Sequence, residues 1–417
     1  MLLASDLPQI TKSLTVAGAG MNKTTIDGAG QWSTFGFESL QDKLAVVSDL
    51  KVQGYNAGAI TGLDGHTDFT ISRVEVDGSN ATSNAPFFGG IVLVASGAST
   101  LSNLYIHDIV SNIADVGTAG VAIITGGNFS GSASISNTTI ENIGATQLSN
   151  ASSDGITVLS GVIDGSFTPA TLNLDVTNST ITHIHSAASG VSGIGVVGVV
   201  NNGTTLINVV AKNNTITDLA GSTSIYADPA IFTLTGGAVQ GSDSVTINYE
   251  SSNNILYSKN SSAQNCSFKD VSSLLPDASG EVHFNITSQG GNLSGDNSCS
   301  PYLNKSTDQN NISNLDTTLG ALSGNGGFVP TIALLQGSPA IDSGVTVAGL
   351  TTDARLTVRP QGSSYDSGAY ESPYTKPAQA AEGLAGTGQN TALYSIAAIL
   401  MLTLAAGIVL FNKSVAD

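Results

Sequence analysis

Asp64, His66 and Asp68 alternate with other residues in the run Asp64-Gly65-His66-Thr67-Asp68. Side chains two apart share a face of an extended segment, so this spacing could hold a metal ion or form an acid/base cluster. Gly62 and Gly65 fit a polar turn equally well. His183 and His185 share a face by the same rule, and a histidine pair could move protons or bind zinc. No third ligand lies near them in sequence, so a solvated face is the plainer reading. His107 and Asp108 are adjacent and fall on opposite faces of a regular strand, which predicts against a dyad. No cofactor motif is evident, and calcium is the ion that the acidic turns could take.

Cys266 and Cys299 are the two cysteines. In an oxidising compartment they would pair, closing a loop of about 34 residues worth about 4 kcal/mol in the chain-entropy model. In a reducing compartment they would remain buried thiols.

These groups must be positioned by a chain that repeats itself. Asn103-Leu104-Tyr105-Ile106, Asn137-Thr138-Thr139-Ile140, Asn178-Ser179-Thr180-Ile181 and Asn213-Asn214-Thr215-Ile216 all read Asn-x-x-Ile, with another aliphatic three residues on. The asparagines lie 34, 41 and 35 residues apart, and degenerate copies stand at Arg73-Val74-Glu75-Val76 and Ser252-Asn253-Asn254-Ile255. Between the phrases run strands introduced by glycine, such as Gly90-Ile91-Val92-Leu93-Val94, Gly120-Val121-Ala122-Ile123-Ile124, Gly155-Ile156-Thr157-Val158-Leu159 and the run from Gly195. At least two short strands per repeat with no helical period point to an all-β solenoid, a right-handed parallel β-helix of eight or so coils. Asparagine at a fixed corner tolerates the left-handed backbone of a sharp turn. Stacked, Asn103, Asn137, Asn178 and Asn213 could also form a hydrogen-bonded ladder up the rod.

The chain is acidic, with 13 Lys and Arg against 31 Asp and Glu in 417 residues. That balance repels phosphate backbones and excludes nucleic acid as a partner. The reading by segment is 1–290 for the β-helix, 291–371 for an end region, 372–390 for a Pro/Ala/Gly-rich linker, and 412–417 for a short tail. Between the last two, Thr391 to Phe411 is an uncharged run of 21 residues. It is long enough for a transmembrane helix that would anchor the protein in a membrane. The amino terminus enters directly into strand-like text with no secretory signal, which suggests that an export signal lies upstream of a truncated reading frame.

Three segments resemble known families. Leu334-Leu335-Gln336-Gly337-Ser338-Pro339-Ala340-Ile341-Asp342-Ser343-Gly344, followed by Thr352-Asp353-Ala354-Arg355, Arg359-Pro360 and Asp366-Ser367-Gly368-Ala369-Tyr370-Glu371, resembles the choice-of-anchor Q domain of bacterial surface β-helix proteins. Leu356 departs from the usual glycine after the first arginine. The paired cysteines suit this group. The opening, from Leu7 to Gly28, is similar to the first coils of pectate-lyase-like β-helices. Leu384-Ala385-Gly386-Thr387-Gly388 resembles a sortase sorting signal, with Ala385 in place of proline. Together the resemblances imply a cell-surface protein, membrane- or wall-anchored, with most of the chain extracellular. Arg355, Arg359, Asp342, Asp353, Asp366 and Glu371 would form ion pairs that close the rod.

The scaffold hosts both binding and catalysis. A lyase needs a basic residue on the helix, and between Lys51 and Lys259 only Arg73 and Lys212 are basic. A glycosidase needs two nearby carboxyl groups, and no tight pair of aspartates stands on a glycine-introduced strand. The expected function is therefore adhesive or ligand-binding, toward a glycan or a surface protein. A polysaccharide lyase or glycoside hydrolase is the alternative, and a passive spacer the third.

Overall fold

In the computed structural model the described residues are 1–38, 43–62, 67–83, 87–94, 97–114, 116–125, 130–147, 152–163, 166–187, 190–221, 230–239, 241–258, 263–274 and 279–376. Residues Met1–Thr375 form one unit and Lys376–Asp417 a second. The first unit is built from parallel strands stacked coil upon coil into three faces, as in a parallel β-helix solenoid. Its single α-helix among the described residues is the one-turn Leu315–Thr318.

The first face stacks Ala98–Ser102, Ser130–Ser136, Ala170–Thr177, Thr204–Lys212, Ser244–Ser252 and Glu281–Gly290. The second stacks Tyr105–Ser111, Thr139–Ala145, Thr180–Ser186, Thr215–Ala220 and Ile255–Tyr257. Lys43–Gln53 and Thr67–Asp77 run continuously through both faces, so hydrogen bonding joins them into one 16-stranded sheet. The third face is an eight-stranded sheet that includes Phe87–Val94, Gly117–Thr125, Ser153–Ser160 and Val191–Val200.

The repeated asparagine marks the corner between the first and second faces. Asp49, Arg73, Asn103, Asn137, Asn178, Asn213 and Asn253 all take φ between 49° and 58°, the left-handed region that Asn and Asp tolerate best. A second left-handed position follows five residues later: Asp108, Asn142, His183 and Asp218 have φ between 53° and 60°. The isoleucine of each phrase is buried in the core, where Ile106, Ile140 and Ile181 each meet a glycine of the third face. A Cβ on Gly120 would lie 2.5 Å from Ile140 Cγ2, and one on Gly155 would lie 2.4 Å from Ile181 Cγ2. The glycine-introduced strands therefore begin with glycine because the large residue opposite fills that space. Gly195 is different: it opens toward Asp154 and Ser192, not toward the core.

The polar ladder forms one residue after the corner. Asn254 Oδ1 accepts from Asn214 N at 2.9 Å and from Asn214 Nδ2 at 3.0 Å, and Asn292 Oδ1 accepts from Asn254 N at 3.1 Å. Ser179 N in turn donates to Asn214 Oδ1 at 2.9 Å. Three of the corner asparagines, Asn178, Asn213 and Asn253, bond to a cover made by the C-terminal part of the unit. Asn178 Nδ2 donates to Thr352 O, Asn213 Nδ2 to Asp366 O, and Asn253 Nδ2 to Val345 O. Asn213 also accepts from Asn253 Nδ2 at 3.2 Å.

The charges expected to close the rod lie within this lateral cover. Arg359 and Glu371 pair at 2.7 Å with both side chains fully buried. Arg355 pairs with Asp353 at 2.6 Å and stacks 3.5 Å above the Tyr370 ring. The segment lies along the side of the coils instead of across an end, held by Thr139 Oγ1 donating to Pro330 O, Arg359 Nη2 donating to Asn178 Oδ1 and Ser367 Oγ donating to Gly291 O. Cys266 and Cys299 form a disulfide. No helix among the described residues is long and apolar enough to cross a membrane. The expected span Thr391 to Phe411 and the segment Leu384 to Gly388 lie outside the described residues.

Candidate functional site

Stacking coils in register turns residues that are far apart in sequence into columns about 4.8 Å apart. On the second face, Lys51 aligns with Thr25, Glu75 with Lys51 and Tyr105 with Glu75 in one outward column. Gln53, Asp77, His107 and Glu141 align in the next. The result is a compact group of charged side chains on the second face. Lys51 Nζ lies 2.8 Å from Glu75 Oε1 and 2.7 Å from Asp77 Oδ2. His107 Nε2 is 3.3 Å from Glu75 Oε1, and its Nδ1 is 2.8 Å from Asp108 Oδ2. The Tyr105 ring stacks on the His107 ring at 4.2 Å, and its hydroxyl donates to Glu141 Oε2 at 2.9 Å.

Adjacent residues in a regular strand cannot meet in this way. Asp108 sits at the second left-handed position, which breaks the alternation and returns its side chain to the same side as His107. The expectation that His107 and Asp108 lie on opposite faces is corrected accordingly. The signal was present in the sequence as Asp, Asn, His and Asp at the fifth position after each corner asparagine.

The electrostatics follow from these partners. Burial works against the His107 proton, but the hydrogen bonds to Glu75 and Asp108 outweigh it and raise the imidazole above its ordinary value. Glu75 is held below the usual carboxylate range, first by His107 and then, against burial, by Lys51. Asp77 is pushed up by burial yet brought down to about 2 by hydrogen bonds from Lys51 and Ser79. Lys51 is destabilised by burial and raised overall by the two carboxylates. Both carboxylates thus stay ionised and the ammonium stays protonated near neutral pH.

Glu75, Asp77 and His107 each offer a ligand atom within 4.8 Å of the others, the one such grouping among the described residues. The Lys51 ammonium already occupies the point between the two carboxylates where a cation would sit. The set does not fit a divalent ion while Lys51 is in place.

Beside the charged group, and sharing Asp108 with it, is a groove of about 690 Å³ lined also by Asn142, Ser79, Thr82, Ser83, Ser111 and Thr146 and by the apolar Phe88, Val110 and Ile113. Asn142 Nδ2 donates to Asp108 Oδ1 at 2.6 Å, and Ser79 Oγ donates to Asp77 Oδ1 at 2.6 Å. The groove thus combines hydroxyl, amide and carboxylate groups with apolar side chains.

Of the residues singled out from sequence, the described ones do not converge on it. Asp64 and His66 lie outside the described residues. Asp68 is exposed on the first face, where its Oδ1 accepts from Ala98 N at 2.6 Å. His183 is half-exposed and 3.9 Å from both Glu141 and Asp218. His185 places Nδ1 3.4 Å from the His183 carbonyl oxygen. Arg73, the one arginine of the repeats, is committed to Asp49 through Nε at 2.5 Å and Nη2 at 2.6 Å. Comparison of the chain with family models, curated proteins and solved structures returns no match.

Proposed function

We propose that the chain is a non-catalytic binding rod, a right-handed parallel β-helix displayed at a cell surface, whose groove takes an extended, hydroxyl-rich ligand of the polysaccharide class. The observation that carries the reading is the groove beside a charge cluster whose members are all paired. A lining that mixes hydroxyl and amide groups with apolar side chains suits a sugar ring, which offers hydroxyls at its rim and C–H groups on its faces. A glycosidase acid must keep its proton near neutral pH, and Glu75 and Asp77 are both drawn toward the ionised form. A lyase base must give up its proton, and Lys51 is stabilised in the charged form. Surface display rests on the choice-of-anchor Q resemblance of 291–371, the Leu384 to Gly388 motif and the apolar run Thr391 to Phe411. The alternative is a polysaccharide lyase or glycoside hydrolase on the same scaffold, for which His107 and Asp108 are the paired groups beside the groove.

The test is binding of the full chain to immobilised polysaccharides. Asn142→Ala removes one side-chain donor from the groove, and an affinity loss of about tenfold is expected. Asn208→Ala, on the first face, should leave affinity unchanged. Equal affinity for wild type and Asn142→Ala, or an equal loss from Asn208→Ala, would overturn the assignment of the groove.

A further inference from the structure

Charge narrows the class of polymer that the groove can take. Asp108 is the one charged side chain among the described residues that line it, and that side chain is 42% exposed. Its carboxylate is held at both oxygens: Asn142 Nδ2 donates to Oδ1 at 2.6 Å, and His107 Nδ1 lies 2.8 Å from Oδ2. A carboxylate has about four lone-pair positions, so about two remain for a ligand.

No lysine or arginine lines the groove among the described residues. Between Lys51 and Lys212 the sequence holds Arg73 alone of the two types, and its guanidinium is committed to Asp49. Lys51 is held between Glu75 and Asp77. Lys51 and a charged His107 balance two of the three carboxylates of Glu75, Asp77 and Asp108, so the group is net negative in either protonation state of His107. The chain as a whole carries −18. A uronic or sulfated polymer would therefore meet like charge with no cation to receive it.

We propose that the groove, taken as a polysaccharide site, selects polymers of amino sugars with free ammonium groups, and that Asp108 receives the ammonium. An ammonium brings one positive charge and three donors to a carboxylate that has acceptor positions left. Charge-assisted hydrogen bonds of this kind are roughly twice as strong as neutral ones. The rest of the ring meets the groove as any sugar would, its hydroxyls toward Ser79, Thr82 and Ser111 and its C–H faces toward Phe88 and Val110. N-acetylation removes the charge and leaves the other groups in place, which separates this class from neutral polymers.

Calorimetric titration of the full chain at about pH 5.5, where a sugar amine is protonated, tests the selectivity with hexamers of glucosamine, N-acetylglucosamine and galacturonate and with a lysine hexapeptide. The glucosamine hexamer should bind about tenfold more tightly than its acetylated form, and the galacturonate hexamer should not bind. Asp108→Asn should erase the preference, and Glu250→Gln, on the first face, should keep it. Equal affinity of the wild type for the two glucosamine hexamers would overturn the selectivity and leave the groove as a site for sugars. A preference that survives in Asp108→Asn would overturn the role of Asp108. Binding of the lysine hexapeptide as tightly as the glucosamine hexamer would overturn the proposal in favour of a basic peptide. No binding of the glucosamine hexamer would overturn it too, and the immobilised-polysaccharide assay with Asn142→Ala then decides separately whether the groove takes sugars.

Discussion

Replacing Lys51 with methionine should destabilise the protein in a pH-dependent way, because Lys51 holds two carboxylates in their ionised form. The lowering of Asp77 from 3.8 to about 2 corresponds to about 2.5 kcal/mol of native-state stabilisation at neutral pH. Ser79 continues to donate to Asp77 in the variant, so a loss of about 2 kcal/mol is expected for Lys51→Met at pH 7. A carboxyl lowered in the native state contributes above its unfolded value and loses that contribution as pH falls toward the folded one. The gap between wild type and variant should therefore be full at pH 5 to 7 and narrow between about pH 4 and 2. Urea unfolding followed by circular dichroism at several pH values reads it directly. The variant also vacates the point between Glu75, Asp77 and His107, so micromolar zinc should stabilise Lys51→Met and leave wild type unchanged. A gap below about 0.5 kcal/mol at pH 7, or one that does not vary with pH, would refute the assignment of Lys51 as the internal counter-ion.

Two further outcomes follow from the packing. Asn254→Leu should cost about 2–4 kcal/mol in urea unfolding, since it removes the acceptor of Asn214 N, one of the two acceptors of Asn214 Nδ2 and a donor to Ala211 O inside the coils; a loss under about 1 kcal/mol would refute the ladder's structural role. Burial and then the Glu371 charge raise Asp366 to about 7. A raised carboxyl contributes stability that is full below its unfolded value near 4 and is lost as pH rises through 7. Hydrogen exchange of residues 342–372, corrected for intrinsic rates, should accordingly show greater protection at pH 5.5 than at pH 8, and Asp366→Asn should flatten the difference. Equal protection at both pH values would contradict the shift.

The coil architecture was legible because its signals are local. Asparagine at a left-handed corner, isoleucine three residues on and glycine at the opposing strand each answer a backbone or packing demand that recurs once per coil. Even Arg73, a degenerate copy, occupies the corner that its alignment with the asparagines implied. The charged cluster was not legible, because Lys51, Glu75, Asp77 and His107 come from three successive coils and meet only through register. The His107–Asp108 contact was hidden by assuming strict alternation across a strand that turns left-handed at Asp108. The role of the corner asparagines was half visible. Their backbone function follows from residue type, but their use in seating residues 345–368 depends on a segment some 90 to 180 residues away.

The most direct measurement incubates the full chain with a panel of polysaccharides, with and without calcium, and reads binding and chain length from the same samples. The account predicts binding of at least one polymer, weakened in Asn142→Ala, with no shortening of any chain and no requirement for calcium. Shortening of a polymer that is lost in His107→Ala or Asp108→Asn would contradict it and establish a glycan-cleaving enzyme on this scaffold.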